Sequence, residues 1–229
     1  MLSGKLKRLL ASLLGGGKED SFEGSADYWR QRYAEGGNSG AGSYNQLANF
    51  KANFLNAFVV EQGIQTVVEH GCGDGNQLTL GIYPSYLGYD ISLDAIELCR
   101  ARFRSDPTRQ FQVLREDTIV QSAELHISLD VIYHLVEDAV FEKYMGAVFN
   151  NASRFVVVYS TDVNGPIDPA APHVRHRKFT DWISRNASHW HLVSRKTNDF
   201  PFNGNFDVSS DAEFFVYARS DGAHSSVGQ

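Results

Sequence analysis

Residues 69–78 read Glu-His-Gly-Cys-Gly-Asp-Gly-Asn-Gln-Leu and directly follow Gln-Thr-Val-Val at 65–68. No other stretch restricts the fold as much. An apolar run that stops at an acid and gives way to glycines at 71, 73 and 75 is a strand entering a tight loop. Glycine at alternate positions lets the backbone turn sharply and lets a ligand lie against bare main chain. The spacing is G-x-G-x-G, whereas the dinucleotide fingerprint is G-x-G-x-x-G and would need its third glycine at Asn76. Glu69, closing the strand, is placed to meet a positively charged amino group.

The acids that follow extend the pattern. Residues 86–92 form a second short strand ending in Asp90. In a strand–loop–helix–strand unit, an acid about 20 residues past the first glycine sits at the tip of the neighbouring strand and can accept both ribose hydroxyls. Asp90 could instead cap the helix that starts at Leu93, although Ser92 can take that role. Residues 111–117 form a third strand, again ending in carboxylates. Ligands of open α/β sheets bind outside the carboxyl ends of the strands. Acids at three successive strand ends therefore point to one nucleotide site.

With these residues in place, the chain resembles the class I S-adenosylmethionine-dependent methyltransferases over roughly residues 26–220. The resemblance implies an α/β fold: a seven-stranded Rossmann-like sheet flanked by helices, its last strand antiparallel. It implies S-adenosyl-L-methionine as cofactor, held by Glu69, Gly71, Cys72, Gly73, Gly75, Asp90, Ile91, Asp117 and Thr118. Asp117 matches the acid that contacts the adenine amino group. The aromatic, arginine- and glycine-bearing segment 27–44 looks like a lid over the methionine end, where Tyr28, Arg32 or Tyr33 could reach the carboxylate. Its plainer reading is a turn joining two helices.

The remaining pattern alternates strand and helix. A helix is expected over 48–62, strands over 125–132 and 155–160, and helices over 136–149 and 179–186, the last with Thr180 as N-cap. Strands at 191–196 and 213–219 have no obvious helix between them and should pair antiparallel. Continuous apolar strands suggest a sheet covered on both faces. Residues 1–25 are an amphipathic segment and linker, 26–220 the domain, and 221–229 a disordered tail. Leu2, Leu6, Leu9, Leu10, Leu13 and Leu14 form one helical face beside Lys5, Lys7 and Arg8. This face reads as a short fraying helix, or as a weak peripheral membrane contact through residues 1–14.

Net charge of −6 and a pI near 5.7 provide no global field for nucleic acid, and no RNA-binding module or basic stripe appears. Cys72 and Cys99 fit a reducing, cytoplasmic setting without a structural disulfide. No apolar run is long enough to span a bilayer.

The loops after strands four to six should face the acceptor. His134 follows strand four, at a position where the family often has a histidine, and is the candidate general base. Asp130 would orient it, or simply cap the strand. Tyr133, Asp162, His173, Arg175 and His176 are candidate acceptor contacts, the basic residues suiting a phosphate or carboxylate; the alternative is a solvated helix-entry face. No metal is assigned, since His173, His176, Asp130 and Asp162 match no strong ligand spacing. The acid/Asn-Pro-Pro-aromatic signature of methyltransferases acting on planar amino nitrogens and the Pro-Cys nucleophile of cytosine methylation are missing. The first reading is O-methylation of a small hydroxylated acceptor such as a sugar or glycan. Rival readings are a nicotinamide-dependent oxidoreductase, opposed by the glycine spacing, and a non-catalytic methyltransferase-like partner protein.

Overall fold

The computed structural model describes residues 22–167 and 169–220; the amphipathic segment at 1–14, its linker up to residue 21 and the tail at 221–229 lie outside them. Helix α1 (Ser25–Ala34) and α2 (Asn45–Glu61) precede β1 (Thr66–His70). There follow β2 (Ser85–Asp90), α3 (Leu93–Arg102), β3 (Arg109–Val113), β4 (Ala123–Leu129), α4 (Asp138–Asn151) and β5 (Ala152–Ser160). Helix α5 (Phe179–Asn186) and strands β6 (Trp190–Lys196) and β7 (Glu213–Arg219) complete the chain order. The seven strands form one sheet in the order β3-β2-β1-β4-β5-β7-β6. Only β7 runs against its neighbours, β5 and β6. This is the Rossmann-like sheet with a reversed last strand.

The order places β1 between β2 and β4, both parallel to it. Crossovers from β1 and β4 leave in opposite directions, so a crevice opens at their carboxyl ends. Apolar side chains of α2 and α3, among them Phe50, Leu55, Ile96 and Cys99, cover one face of the sheet against Val67, Leu125 and Val157. Met145, Val148, Phe149, Phe179 and Trp182 of α4 and α5 cover the other against Val156, Val158 and Phe215. Among the described residues no helix is long and apolar enough to cross a membrane.

Several elements differ from the sequence reading. The link between β1 and β2 holds only a single 3-10 turn, Gln77–Leu80, where the general strand–loop–helix–strand unit has a helix; Gly81 and Pro84 follow it directly before β2. Strand β3 stops at Val113, and residues 115–118 turn back, with Arg115 N–H donating to the Thr118 hydroxyl at 2.8 Å. Strand β4 stops at Leu129 because Asp130 adopts a left-handed backbone (φ 59°), and Ile132–His134 is a 3-10 turn. Thr180 is not the N-cap of α5. That position is Lys178, which makes no side-chain cap bond; the Thr180 N–H and hydroxyl instead donate to Asp162. Edge strand β6 is exposed from His191 to Arg195, so the sheet is not covered on both faces throughout.

Candidate active site

The glycine loop leaves β1 with Gly71, Gly73 and Gly75 all at positive φ (81°, 57° and 71°). The Gly71 and Cys72 N–H groups donate to the Tyr89 carbonyl at 2.7 and 3.0 Å, tying the loop to β2. A Cβ on Gly71 would fall 2.6 Å from Val131 Cγ2, and one on Gly73 would collide with Ser39 Oγ. These two positions are closed to side chains by space as well as by backbone angle. The Cys72 and Cys99 thiols are free and buried, and Cys99 Sγ contacts the Gly73 carbonyl at 3.1 Å.

Two carboxylates converge on this loop. Glu69 is buried and accepts the Tyr86 hydroxyl at 2.5 Å. Burial pushes its carboxyl up to about 7, against the opposing pull of Tyr86 and of the Lys51 charge. Asp90 accepts the Gly73 N–H at 3.0 Å on one oxygen and the Ser92 N–H at 2.9 Å on the other. Burial raises its carboxyl to about 6 despite these bonds. Each oxygen retains acceptor capacity. Ser92 caps α3 through Ala95 N–H, so Asp90 is free of that role.

Segment 25–44 closes over the loop. Ser25 at the start of α1 is held by Glu137, which accepts its N–H at 2.8 Å and its hydroxyl at 2.6 Å. Asp74, within the loop, accepts the Tyr44 hydroxyl at 2.6 Å and the Ser39 N–H at 3.2 Å. Burial alone would raise the Asp74 carboxyl, but bonds from Tyr44, Asn76 and Ser39 bring it below the usual range. Tyr28 stacks on His173 with centroids 4.2 Å apart, and Trp29 meets His134 edge-on at 4.8 Å. Arg32 donates to the Asn38 carbonyl at 2.7 Å and closes the turn after α1.

At the β4 exit, Asp130 does not orient His134. Its carboxylate pairs with Lys51 Nζ at 2.6 Å and accepts the Tyr133 hydroxyl at 2.9 Å. Lys51, on α2, is only 1 % exposed. His134 Nδ1 lies 3.2 Å from the His173 carbonyl. A carbonyl only accepts, so Nδ1 carries the proton and Nε2 holds the free lone pair. Burial drives the imidazole down to about 4, against the pull of the His173 carbonyl.

A cavity of about 1290 Å³ unites these groups. Glu69, Asp90, Ile91 and Thr118 line it, as do Tyr28, Arg32, Asp130, Tyr133, His134, His173 and His176. Asp117 is exposed on the 115–118 turn, outside the lining. Asp162 is engaged by Thr180. Arg175 donates to the Val136 carbonyl at 2.9 Å and pairs with Asp138, so the basic cluster braces the loop before α4. His176 meets the Thr161 hydroxyl at 2.8 Å. Among the described residues, no three His, Cys, Asp or Glu side chains gather as a metal ion would need. Sequence reasoning missed Lys51, Asp74 and Gln77. Asp74 carried a signal, as an acid inside the glycine loop; Lys51 and Gln77 carried none.

Ligands of mostly parallel α/β sheets bind in such a switch-point cavity, and the comparisons narrow the fold class. No family model matches the sequence, and no curated protein matches it. Solved structures do. The N-methyltransferase NodS from Bradyrhizobium japonicum, with bound S-adenosylhomocysteine, aligns at a TM-score of 0.64 and 12% identity, covering 86% of this chain and 99% of that one. Magnesium protoporphyrin IX methyltransferase from Synechocystis PCC 6803, with bound S-adenosylmethionine, aligns at 0.58 and 15%, covering 93% and 97%. The methyltransferase domain of bacterial CtHen1 aligns at 0.57 and 16%, covering 75% and 98%. The chain has the class I S-adenosylmethionine-dependent methyltransferase fold.

Proposed function

We propose that this protein is an S-adenosylmethionine-dependent methyltransferase that methylates an oxygen of a small hydroxylated acceptor, of the sugar or glycan type. The observation that carries the reading is the convergence of Glu69, the glycine loop and Asp90 on one cavity at the β1–β4 switch point. The donor set suits the cofactor. Asp90 keeps acceptor capacity for ribose hydroxyls, Glu69 faces a site for an ammonium group, and the loop offers close backbone approach. Ile91 and Thr118 would flank the base. Tyr28 and Arg32 sit on the lid side. When bound, the cofactor supplies an electrophilic methyl group on a sulfonium.

The chain's own residues align the acceptor and take its proton. His134 is neutral across the physiological range, with Nε2 free, and can accept a hydroxyl proton. Asp130 and Tyr133, fixed through Lys51, give the acceptor a polar wall, with His173 and His176 nearby. Asp162, Arg175 and Asp117 do not support direct contact. The free thiols suit a cytoplasmic setting. The N-methyltransferase NodS and the porphyrin enzyme show that acceptors differ within this fold, so the acceptor requires a direct test. The test is calorimetric binding of S-adenosylhomocysteine, followed by turnover of labelled S-adenosylmethionine across hydroxyl, amine and carboxylate acceptors. Methylation confined to amines would overturn the oxygen assignment. Binding of a nicotinamide dinucleotide in place of S-adenosylhomocysteine would overturn the class.

A further inference from the structure

Gln77 lies two residues past Gly75, the last glycine of the loop, at the start of the 3-10 turn. Its side chain is 7 % exposed and forms part of the cavity wall, with Leu47, Glu69 and Cys72. Nε2 donates to the Ala48 carbonyl of α2 at 3.0 Å. That carbonyl can only accept, so the orientation of the amide is fixed by chemistry: nitrogen toward α2, oxygen away from it. Oε1 is buried and has no hydrogen-bond partner among the described residues.

A buried carbonyl oxygen without a donor is destabilising, and an apolar residue of the same size would avoid the cost. Leu47 lines the same cavity and Leu78 is the next residue in the chain, both buried. A glutamine held there with its oxygen unmet is explained by a donor that arrives with a ligand. The cavity wall also contains Glu69, a second acceptor; the Lys51 charge reaches Glu69, but the Lys51 hydrogen bond goes to Asp130. Two buried acceptors in the lining of one cavity match a group with several N–H donors and a positive charge.

We propose that Gln77 Oε1 and Glu69 together bind the α-ammonium group of the cofactor's amino-acid end, making Gln77 a cofactor-binding residue. The assignment rests on the cofactor reading given under Proposed function. It divides the labour of the site: Asp90 holds the nucleoside end and the Glu69–Gln77 pair selects for the amino-acid end.

The test compares the affinities of S-adenosylhomocysteine and its des-amino analogue, which lacks only the α-amino group, by calorimetry. In the wild type, the analogue should bind more weakly. In Gln77→Leu, S-adenosylhomocysteine should lose on the order of tenfold in affinity while the analogue changes little, so the ratio between the two ligands shrinks by about that factor. Gln77→Met, which is unbranched and of similar length, replaces Gln77→Leu if the latter does not fold, and the same shrinkage is expected. A purely structural role would weaken both ligands equally and leave the ratio unchanged, which would overturn the proposal. Wild-type protein that binds neither ligand would overturn the cofactor reading and this assignment with it. Wild-type protein that binds both equally would overturn the ammonium contact alone.

Discussion

A lysine with 1 % of its surface exposed needs a counter-charge, and Lys51 has Asp130 at 2.6 Å. Asp130 reaches it from a left-handed backbone, a conformation that costs a non-glycine residue energy and persists only where the surroundings enforce it. Removing one partner of such a pair strands the other. Lys51→Met should lower stability by about 3–5 kcal/mol, and Lys51→Met combined with Asp130→Asn should recover much of the loss; urea denaturation measures both. His134 has a different sensitivity. If it is the general base, His134→Ala should cut turnover by about 10²–10⁴-fold with cofactor affinity unchanged. Because burial holds the imidazole near 4, the base is already deprotonated well below neutrality. Wild-type turnover should therefore rise from acid pH through about 4 and be flat near 7, rather than rise through neutrality as an unperturbed histidine would make it. Wild-type activity in the His134→Ala variant would assign the proton to another group.

At the scale of elements, segment 39–44 is tied to the glycine loop chiefly by Asp74, with Asn76 Nδ2 donating to the Ser43 carbonyl at 2.8 Å. Asp74 holds the Tyr44 hydroxyl and the Ser39 N–H, while the Ser39 hydroxyl accepts the Asp74 N–H at 2.9 Å. Segment 35–44 contains only one 3-10 turn of its own, Ala41–Ser43, so these bonds set its position. Asp74→Ala removes the shared acceptor. Amide exchange of residues 39–44 should accelerate, with β1 and β4 still protected, and S-adenosylhomocysteine affinity should fall on the order of tenfold. Unchanged exchange in 39–44 would show that the Asn76–Ser43 bond and the aromatic contacts, Tyr28 on His173 and Trp29 on His134, hold the segment without Asp74.

Across the whole molecule, burial has set ionisable groups against one another. His70 and His126, on neighbouring strands, meet at 2.9 Å and are pushed down to about 3 and about 2, chiefly by burial. With His134 near 4, three imidazoles stay neutral in the fold at a pH where the unfolded chain protonates them. Their contribution to stability is complete above about 6.5 and is lost as pH falls toward their folded values. Glu69 and Asp90, raised to about 7 and about 6, act oppositely: the folded state binds their protons first, so their contribution grows as pH falls below those values. Near pH 5 the three imidazoles outnumber the two acids, and His173, also lowered by burial, acts in the same direction. Unfolding free energy should therefore decline as pH falls through that region, by on the order of 1 kcal/mol per pH unit. Urea midpoints from pH 7 to 4.5 measure it, and a flat profile would show that the histidine pair is not neutral in the fold.

The sequence by itself determined the sheet and the glycine-loop end of the cavity. Those features are local: period and composition mark the strands, glycine spacing marks the loop, and an acid at a strand tip needs only its own strand to be placed. It also marked β6 and β7 as an antiparallel pair, because no crossover helix separates them. What it could not determine is which polar side chain meets which across the fold. Lys51 lies 79 residues from Asp130, and nothing in α2 separates it from a solvent-facing lysine until α2 packs on the sheet. Arg175 and Asp162 look like acceptor ligands in one dimension, yet in three they are engaged by the Val136 carbonyl and by Thr180. Asp117 follows the expected spacing, but the turn at 115–118 carries it to the surface. The oxygen of Gln77 became conspicuous only once its nitrogen was fixed by a helix 29 residues earlier. Hydrogen bonding and burial depend on long-range packing, and packing alone decided how these groups are used.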